Sequence, residues 1–212
     1  MQWRRWMGSF FLLLISAFIE SKAQTAEWYI GHQRTGVDIM WFRFFDTKPD
    51  QQKRWLYFSR NRASVDYHQS PALWGSTNAL SYQFKNGFGL VTVGQFTTQG
   101  LVAKAGVQYT TKKDHFLFFG WLITDLQKKG QIDLFGMFRF QPPYGKKLKG
   151  FHQLEIFPVW QRGLQRWNLT ERIRTGLQMK KWATGLMLDM NQTGKKTFSF
   201  SENTGLFLRY EF

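Results

Sequence analysis

The chain has 212 residues, enough for one domain with a sizeable core, and its formal net charge is +15. It contains no cysteine, which excludes disulfides, cysteine-ligated metals and thiol nucleophiles. Aromatic residues make up 18% of the chain, yet the mean hydropathy is only −0.39, a combination that fits a sheet in which alternate residues are apolar.

The first 23 residues have the three-part layout of a secretory signal peptide. Arg4 and Arg5 give a positive start, residues 10–18 form an apolar run, and Ser21 and Ala23 are small residues suited to cleavage after Ala23. The apolar run is too short to cross a bilayer as a helix, which takes about 20 residues. We therefore expect residues 1–23 to be removed on export and residues 24–212 to form the mature domain.

Beyond residue 23, short apolar-rich segments alternate with small polar or basic turns, and no sustained helical period competes with them. Most segments are close to the length that a tilted strand needs to cross a bilayer, about 9–11 residues. We predict twelve strands, with ten as the alternative count. The predicted strands are 26–33, 37–46, 55–67, 77–84, 88–97, 101–110, 115–126, 131–141, 151–162, 168–179, 182–190 and 203–212.

Most of these strands have one apolar and one polar face, which fits either a soluble β-sandwich or a membrane β-barrel. The placement of aromatic residues near segment ends favours a barrel with interfacial girdles. Segment 115–126 is apolar on both faces, so we expect part of the barrel lumen to be packed with apolar side chains. The end-placed aromatic residues are Trp55, Tyr57, Tyr67, Trp74, Tyr82, Tyr109, Trp160, Trp167, Trp182 and Tyr210.

The last ten residues alternate between an apolar and a polar face and end on an aromatic residue. They resemble the C-terminal assembly signal of Gram-negative outer-membrane β-barrels. The resemblance implies an all-β fold, an antiparallel transmembrane barrel in the outer membrane, and insertion by the barrel-assembly machinery. The residues that carry it are Asn203, Gly205, Leu208, Tyr210 and Phe212.

A periplasmic C-terminus would place several lysine-rich turns at the periplasmic rim of such a barrel. This basic rim suits the anionic head groups of outer-membrane lipids or an acidic envelope protein, although lysines also simply solubilise turns. Export argues against a nucleic-acid partner. The rim lysines are Lys112, Lys113, Lys146, Lys147, Lys149, Lys180 and Lys181.

Charged residues on the polar faces are expected to line the lumen, seven of them basic and five acidic. They form either a salt-bridged plug in a closed barrel or a narrow pore that favours anions. Together with inward aromatic residues they favour a narrow or occluded lumen. The set is Arg60, Arg62, Asp66, Lys104, Asp133, Arg139, Glu155, Arg172, Arg174, Asp189, Arg209 and Glu211.

One pair of residues raises the alternative of an enzyme. The step from His68 to Ser70 resembles the His-x-Ser step of outer-membrane lipid A deacylases, with Glu155 or Asp66 as the carboxylate that would orient the histidine. The four histidines do not have the spacing of a metal site, and we expect no metal and no cofactor.

The sequence therefore predicts an outer-membrane barrel without enzymatic activity and with short connections. Its expected role is a structural or accessory subunit of an envelope complex, or a narrow, porin-like anion-preferring channel. The alternatives are a lipid-modifying hydrolase and a soluble periplasmic β-sandwich.

Overall fold

The computed structural model describes residues 24–45, 54–68, 72–97, 100–126 and 130–212. The expected signal peptide, residues 1–23, lies outside the described residues. The described residues form twelve antiparallel strands that close into one barrel, in which β1 pairs with β12. The strands are β1 (Gln24–Gly31), β2 (Arg34–Phe45), β3 (Trp55–Asp66), β4 (Leu73–Gln83), β5 (Phe88–Thr97), β6 (Gly100–Lys113), β7 (Phe116–Asp125), β8 (Gln131–Phe140), β9 (Leu148–Gln161), β10 (Arg166–Met179), β11 (Trp182–Gly194) and β12 (Phe198–Glu211).

All twelve predicted strands are present, and the prediction of a closed antiparallel barrel is confirmed. The largest difference lies in the hairpin of β11 and β12, where the sequence predicted a connection over 191–202. There Asn191 pairs with Ser201 and Thr193 with Ser199, so the ladder continues almost to the turn. Polar side chains suggested a loop, but an antiparallel ladder is built from backbone groups and does not need apolar side chains.

The outer surface of the barrel is apolar, whereas the inner surface is buried. In β12, Leu206 and Leu208 are 61% and 43% exposed, whereas the alternate residues Phe207 and Arg209 are only 1% and 3% exposed. The same alternation occurs around the barrel, as the period of two along a strand requires. The alternative of a soluble sandwich is wrong, because one closed sheet encloses the core and leaves an apolar exterior for lipid.

The two ends of the barrel differ. We call the end that carries Gln24 and Phe212 the terminal rim, and the other end the opposite rim. Aromatic rings in contact at 4.5–6.4 Å are spread along the terminal rim, as expected for an interfacial girdle. These pairs are Phe45–Trp55, Trp55–Tyr82, Phe88–Tyr109, Phe116–Phe140 and Trp182–Tyr210.

Connections at both rims are short where they are described. Only residues 32–33, 162–165 and 195–197 join the strands of three hairpins at the opposite rim. Among the described residues there is no helix long and apolar enough to cross a membrane. The barrel therefore presents its lumen, its outer wall and its two rims as the surfaces on which a site can be built.

Candidate functional site

One half of the lumen, on the side of β2 to β8, is filled with apolar side chains. Phe58 stacks on Phe119 at 5.4 Å between ring centroids, and Trp121 packs edge-on against both rings. Phe119 is fully buried and Trp121 is 5% exposed. The apolar packing expected near segment 115–126 is present, and it occupies the space that an open pore would need.

The other half of the lumen holds a network of charged side chains that begins at the seam between β1 and β12. Glu27 accepts a hydrogen bond from Nε of Arg174 at 2.9 Å and another from Nε of Arg209 at 2.9 Å. Arg174 also donates to Asp189 at 2.6 Å. All four side chains are almost fully buried, so each charge depends on its partners rather than on water.

The network continues towards the opposite rim through a second group of arginines. Arg60 lies between Asp38, at 2.6 Å, and Glu155, at 2.9 Å. Arg62 also donates to Asp38. Arg172 is held more loosely, with its nearest carboxylate oxygens 3.5 Å away on Glu155 and 3.9 Å away on Asp189.

Gln153 connects the two groups of charges. Its Oε1 accepts hydrogen bonds from Arg139 and Arg209, both at 2.8 Å, and its Nε2 donates to Glu155 at 2.7 Å. One connected set of charge-assisted hydrogen bonds therefore runs along the polar half of the lumen. Such a set immobilises its members, because any movement of one side chain leaves a buried partner unsatisfied.

A separate ion pair lies inside the apolar half. Lys104 on β6 contacts Asp133 on β8, and their side chains are 1% and 0% exposed. Asp133 also accepts a hydrogen bond from the Gln131 amide at 2.9 Å. Lys104 and Asp133 are thus paired with each other and lie apart from the arginine network.

Two predicted lumen residues lie at the ends of the barrel rather than in its middle. Asp66, at the end of β3, accepts a hydrogen bond from the backbone N–H of His68 at 2.9 Å. Glu211 accepts one from Gln178 at 2.9 Å, close to the terminal rim, and lies 3.6 Å from Arg139.

Sequence reasoning missed two carboxylates at the centre of the network, Glu27 and Asp38. Their exposed fractions are 3% and 4%. They offset the excess of basic side chains that the sequence placed in the lumen. The signal that identifies Glu27 is the alternation of Glu27 and Tyr29 with the exposed residues Trp28 and Ile30 in β1, and Asp38 follows the exposed Val37 in β2 in the same way.

The lumen is not filled completely at the opposite rim, where a cavity of about 360 Å³ opens. Phe58, Trp121 and Phe135 lie at its base, and arginines of the network lie along one wall. The lining side chains used below are Arg60, Arg62, Gln95, Gln131, Phe157 and Arg172.

The outer wall carries a polar patch within its largely apolar belt, halfway along β3 and β4. The Oδ1 of Asn78 accepts hydrogen bonds from the hydroxyls of Tyr57 and Ser59, both at 2.9 Å. Asn61 donates to Ser59 at 3.3 Å, and Asn78 donates to Ser76 at 3.0 Å. These five residues, which we call the outer-wall patch, alternate with inward-facing residues such as Phe58, Arg60 and Ala79.

The predicted assembly-signal residues close the barrel. The buried Oδ1 of Asn203 accepts hydrogen bonds from the backbone N–H groups of Gln33 and Arg34, at 2.9 and 3.2 Å, and so ties β12 to the turn between β1 and β2. At Gly205 a Cβ would lie only 2.0 Å from the Ile30 carbonyl oxygen, so a side chain does not fit there. Leu208 and Phe212 point outward, and Tyr210 packs against Trp182.

The seven lysines of the basic rim are all exposed near the terminal rim. Lys181 also lies 5.7 Å above the ring of Tyr210, in the geometry of a cation–π contact. What the basic rim binds stays a prediction.

The structure describes three of the four residues of the hydrolase alternative, namely Asp66, His68 and Glu155. Ser70 lies outside the described residues, and His68 is exposed at the opposite rim. Glu155 is engaged by Arg60 and Gln153 inside the lumen, and Asp66 bonds to the His68 backbone. No group of three metal-ligating side chains occurs in the part of the chain that the structure describes.

The closed sheet of twelve strands, its apolar exterior and its polar lumen define a β-barrel of the outer-membrane class. The predicted resemblance to Gram-negative outer-membrane barrels is thus confirmed for the fold. No protein-family model matches the chain, and no curated protein matches its sequence.

The solved structures that are similar to the chain include two named barrels. The KdgM porin, in a complex with disordered oligogalacturonate, is 8% identical; the match covers 89% of this chain and 98% of the porin, with a TM-score of 0.50. The β domain of the Bordetella autotransporter BrkA is 12% identical; the match covers 91% of this chain and 100% of that domain, with a TM-score of 0.37. At these identities the likeness to the porin supports the barrel fold and nothing finer.

Proposed function

We propose that this protein is an integral outer-membrane β-barrel without enzymatic activity that acts as a structural or accessory subunit of a larger envelope complex. The outer-wall patch is the observation that carries the proposal. It places hydroxyl and amide groups on the lipid-facing side at mid-height, where lipid cannot satisfy them.

The outer-wall patch satisfies only part of its own hydrogen-bonding capacity. A side-chain amide has two N–H donors and a carbonyl acceptor, and Asn61 uses one donor, to Ser59. A shallow groove of about 380 Å³ lies beside the patch and is lined by Val37, Ile39 and Trp74, among others. Polar groups beside an apolar groove suit a membrane-embedded polypeptide that offers its own hydroxyls or amides.

The packed lumen supports a subunit rather than a free pore. Phe58, Phe119 and Trp121 fill one half, and the arginine–carboxylate network fills the other. Replacing such a network with a path for solute would break several buried ion pairs at once.

Photo-crosslinking in cells tests the proposal. A benzoylphenylalanine at position 61 lies in the outer-wall patch, and one at Leu134 lies on the far wall as a matched control, since Leu134 is 47% exposed to lipid. We expect a specific protein adduct from position 61 and none from position 134. An adduct of twice the mass would identify a second copy as the partner, whereas no adduct from either position would contradict the proposal.

A narrow anion-preferring channel is the second candidate. It is favoured by the porin-like fold and by the arginines that face the cavity at the opposite rim. The KdgM porin was determined in complex with oligogalacturonate, so barrels of this fold include solute-conducting proteins. Planar-bilayer recordings separate the candidates: current steps with anion selectivity favour the channel, and their absence favours the closed subunit.

For either candidate we propose the outer membrane as the location, with the terminal rim in the periplasm. The apolar exterior and the aromatic girdle support membrane insertion. In this orientation the basic rim lies against anionic lipid head groups, and the barrel-assembly machinery recognises β12.

A further inference from the structure

The cavity at the opposite rim has the features of a binding site that is independent of solute passage. It opens between the ends of β3, β4, β5 and β8, and Phe58, Trp121 and Phe135 close its base. Its volume of about 360 Å³ lies within the range of small-molecule sites, roughly 300–1,000 Å³. A ligand entering from the opposite rim would stop at these rings.

The side chains that face this space present positive charge, although the network behind them is nearly balanced. Arg62 and Arg172 have side chains 19% and 21% exposed. Their carboxylate partners are much less accessible, with Asp38 at 5% and Glu155 at 4%. A molecule in the cavity therefore meets the guanidinium groups, while Asp38 and Glu155 remain behind them. Asp133 also lines the cavity, but its side chain is fully buried and paired with Lys104.

Two of these arginines keep donors available for a ligand. Arg62 bonds to Asp38 through Nε and Nη2, which leaves its Nη1 group without a hydrogen bond among the described residues. Arg172 makes only long contacts with carboxylates, at 3.5 Å to Glu155 and 3.9 Å to Asp189. A guanidinium has five N–H donors arranged as a fork that matches a carboxylate.

The rest of the lining favours a ligand with an apolar body. Trp121, Phe135 and Phe157 give aromatic surface, and Gln95 and Gln131 provide amide groups at the sides. We propose that the cavity binds a small organic anion, namely a carboxylate carried on a ring or on a short apolar body. The arginines hold the carboxylate and the aromatic base packs against the body.

Calorimetric titration of the purified barrel in detergent tests this site with three small molecules that carry the ring, the carboxylate or both. Benzoate has both the carboxylate and the ring, benzyl alcohol has the ring without the charge, and acetate has the charge without the ring. We expect saturable binding of benzoate and binding at least tenfold weaker for each of the other two. Equal binding of benzoate and benzyl alcohol, or no saturable binding of benzoate, would overturn the proposal.

The variant Arg172→Gln removes the most weakly held guanidinium at little structural risk, because its ion pairs are long. Arg166→Gln is the matched control, since Arg166 is exposed on the same strand and does not line the cavity. We expect benzoate affinity to fall about tenfold or more in R172Q, the size of a lost charge-assisted hydrogen bond, and to stay unchanged in R166Q. Unchanged affinity in R172Q, or an equal loss in both variants, would contradict the assignment.

Discussion

Glu27 on β1 and Arg209 on β12 face each other across the seam at which the barrel closes, with Nε of Arg209 2.9 Å from Oε2 of Glu27. The two residues are separated by 182 positions in the chain, so this contact forms only when the first and last strands pair. Arg174 binds the other oxygen of the same carboxylate at 2.9 Å. The seam is therefore secured by side chains as well as by the backbone ladder.

The first prediction concerns this seam. Replacing Glu27 by Gln keeps the shape but leaves the buried Arg174 and Arg209 without a shared negative charge. We expect a loss of roughly 3–5 kcal/mol in the free energy of unfolding, as for other broken buried ion pairs. Urea unfolding in detergent, followed by tryptophan fluorescence, measures it. Glu202→Gln, an exposed change on the partner strand β12, is the control and should have no comparable effect. Equal losses in the two variants would contradict a stabilising role for the buried seam pair.

The second prediction concerns the hydrogen bonds from Asn203 to the turn between β1 and β2. Asn203→Ala leaves the backbone N–H groups of Gln33 and Arg34 without their acceptor, and we expect a loss of about 1–3 kcal/mol. The folded band on an unheated gel should convert to the unfolded one at a lower temperature. Ser201→Ala, two residues earlier on the same strand and exposed, is the control and should behave as the wild type.

The third prediction concerns Lys104 and Asp133. Asp133→Asn should destabilise the barrel by roughly 3–5 kcal/mol, because it removes the charged partner of the buried Lys104 ammonium. The double variant Lys104→Met with Asp133→Leu should recover most of that loss. A double-mutant cycle on urea unfolding measures the coupling, and additive effects would contradict it.

The fourth prediction concerns the packed half of the lumen. Truncating Phe119 and Trp121 together to Ala removes two rings that fill it, and we expect current steps in planar bilayers where the wild type has none. The control replaces Phe118 and Leu122 on the same strand, which face lipid, and should leave the bilayer current unchanged. Open steps from the wild-type protein would instead favour the channel.

The fifth prediction concerns orientation. The chain has no cysteine, so a maleimide labels only the single cysteine that a substitution introduces. Lys146→Cys at the terminal rim should react with an impermeant maleimide only after the outer membrane is permeabilised, whereas Lys195→Cys at the opposite rim should react in intact cells. The reverse pattern would invert the proposed orientation.

The sequence predicts the number and the two faces of the strands better than it predicts where each strand begins and ends. Strand number and the two faces of each strand were predictable because side-chain direction alternates within a single strand, as Leu206, Phe207 and Leu208 illustrate. The bounds of β11 and β12 were less predictable, since the polar residues Asn191 and Ser201 extend a ladder that depends on the partner strand.

By itself, the sequence determined the class of fold, the inward position of residues such as Arg60 and Arg174, and the apolar outer belt. Only the tertiary structure decided which charges meet. Arg60 contacts Glu155 across 95 positions, and Asn61 joins a patch with Asn78 on the neighbouring strand. The physical reason is closure: the register between strands and the distance across the lumen depend on all twelve strands together, and no local pattern encodes them.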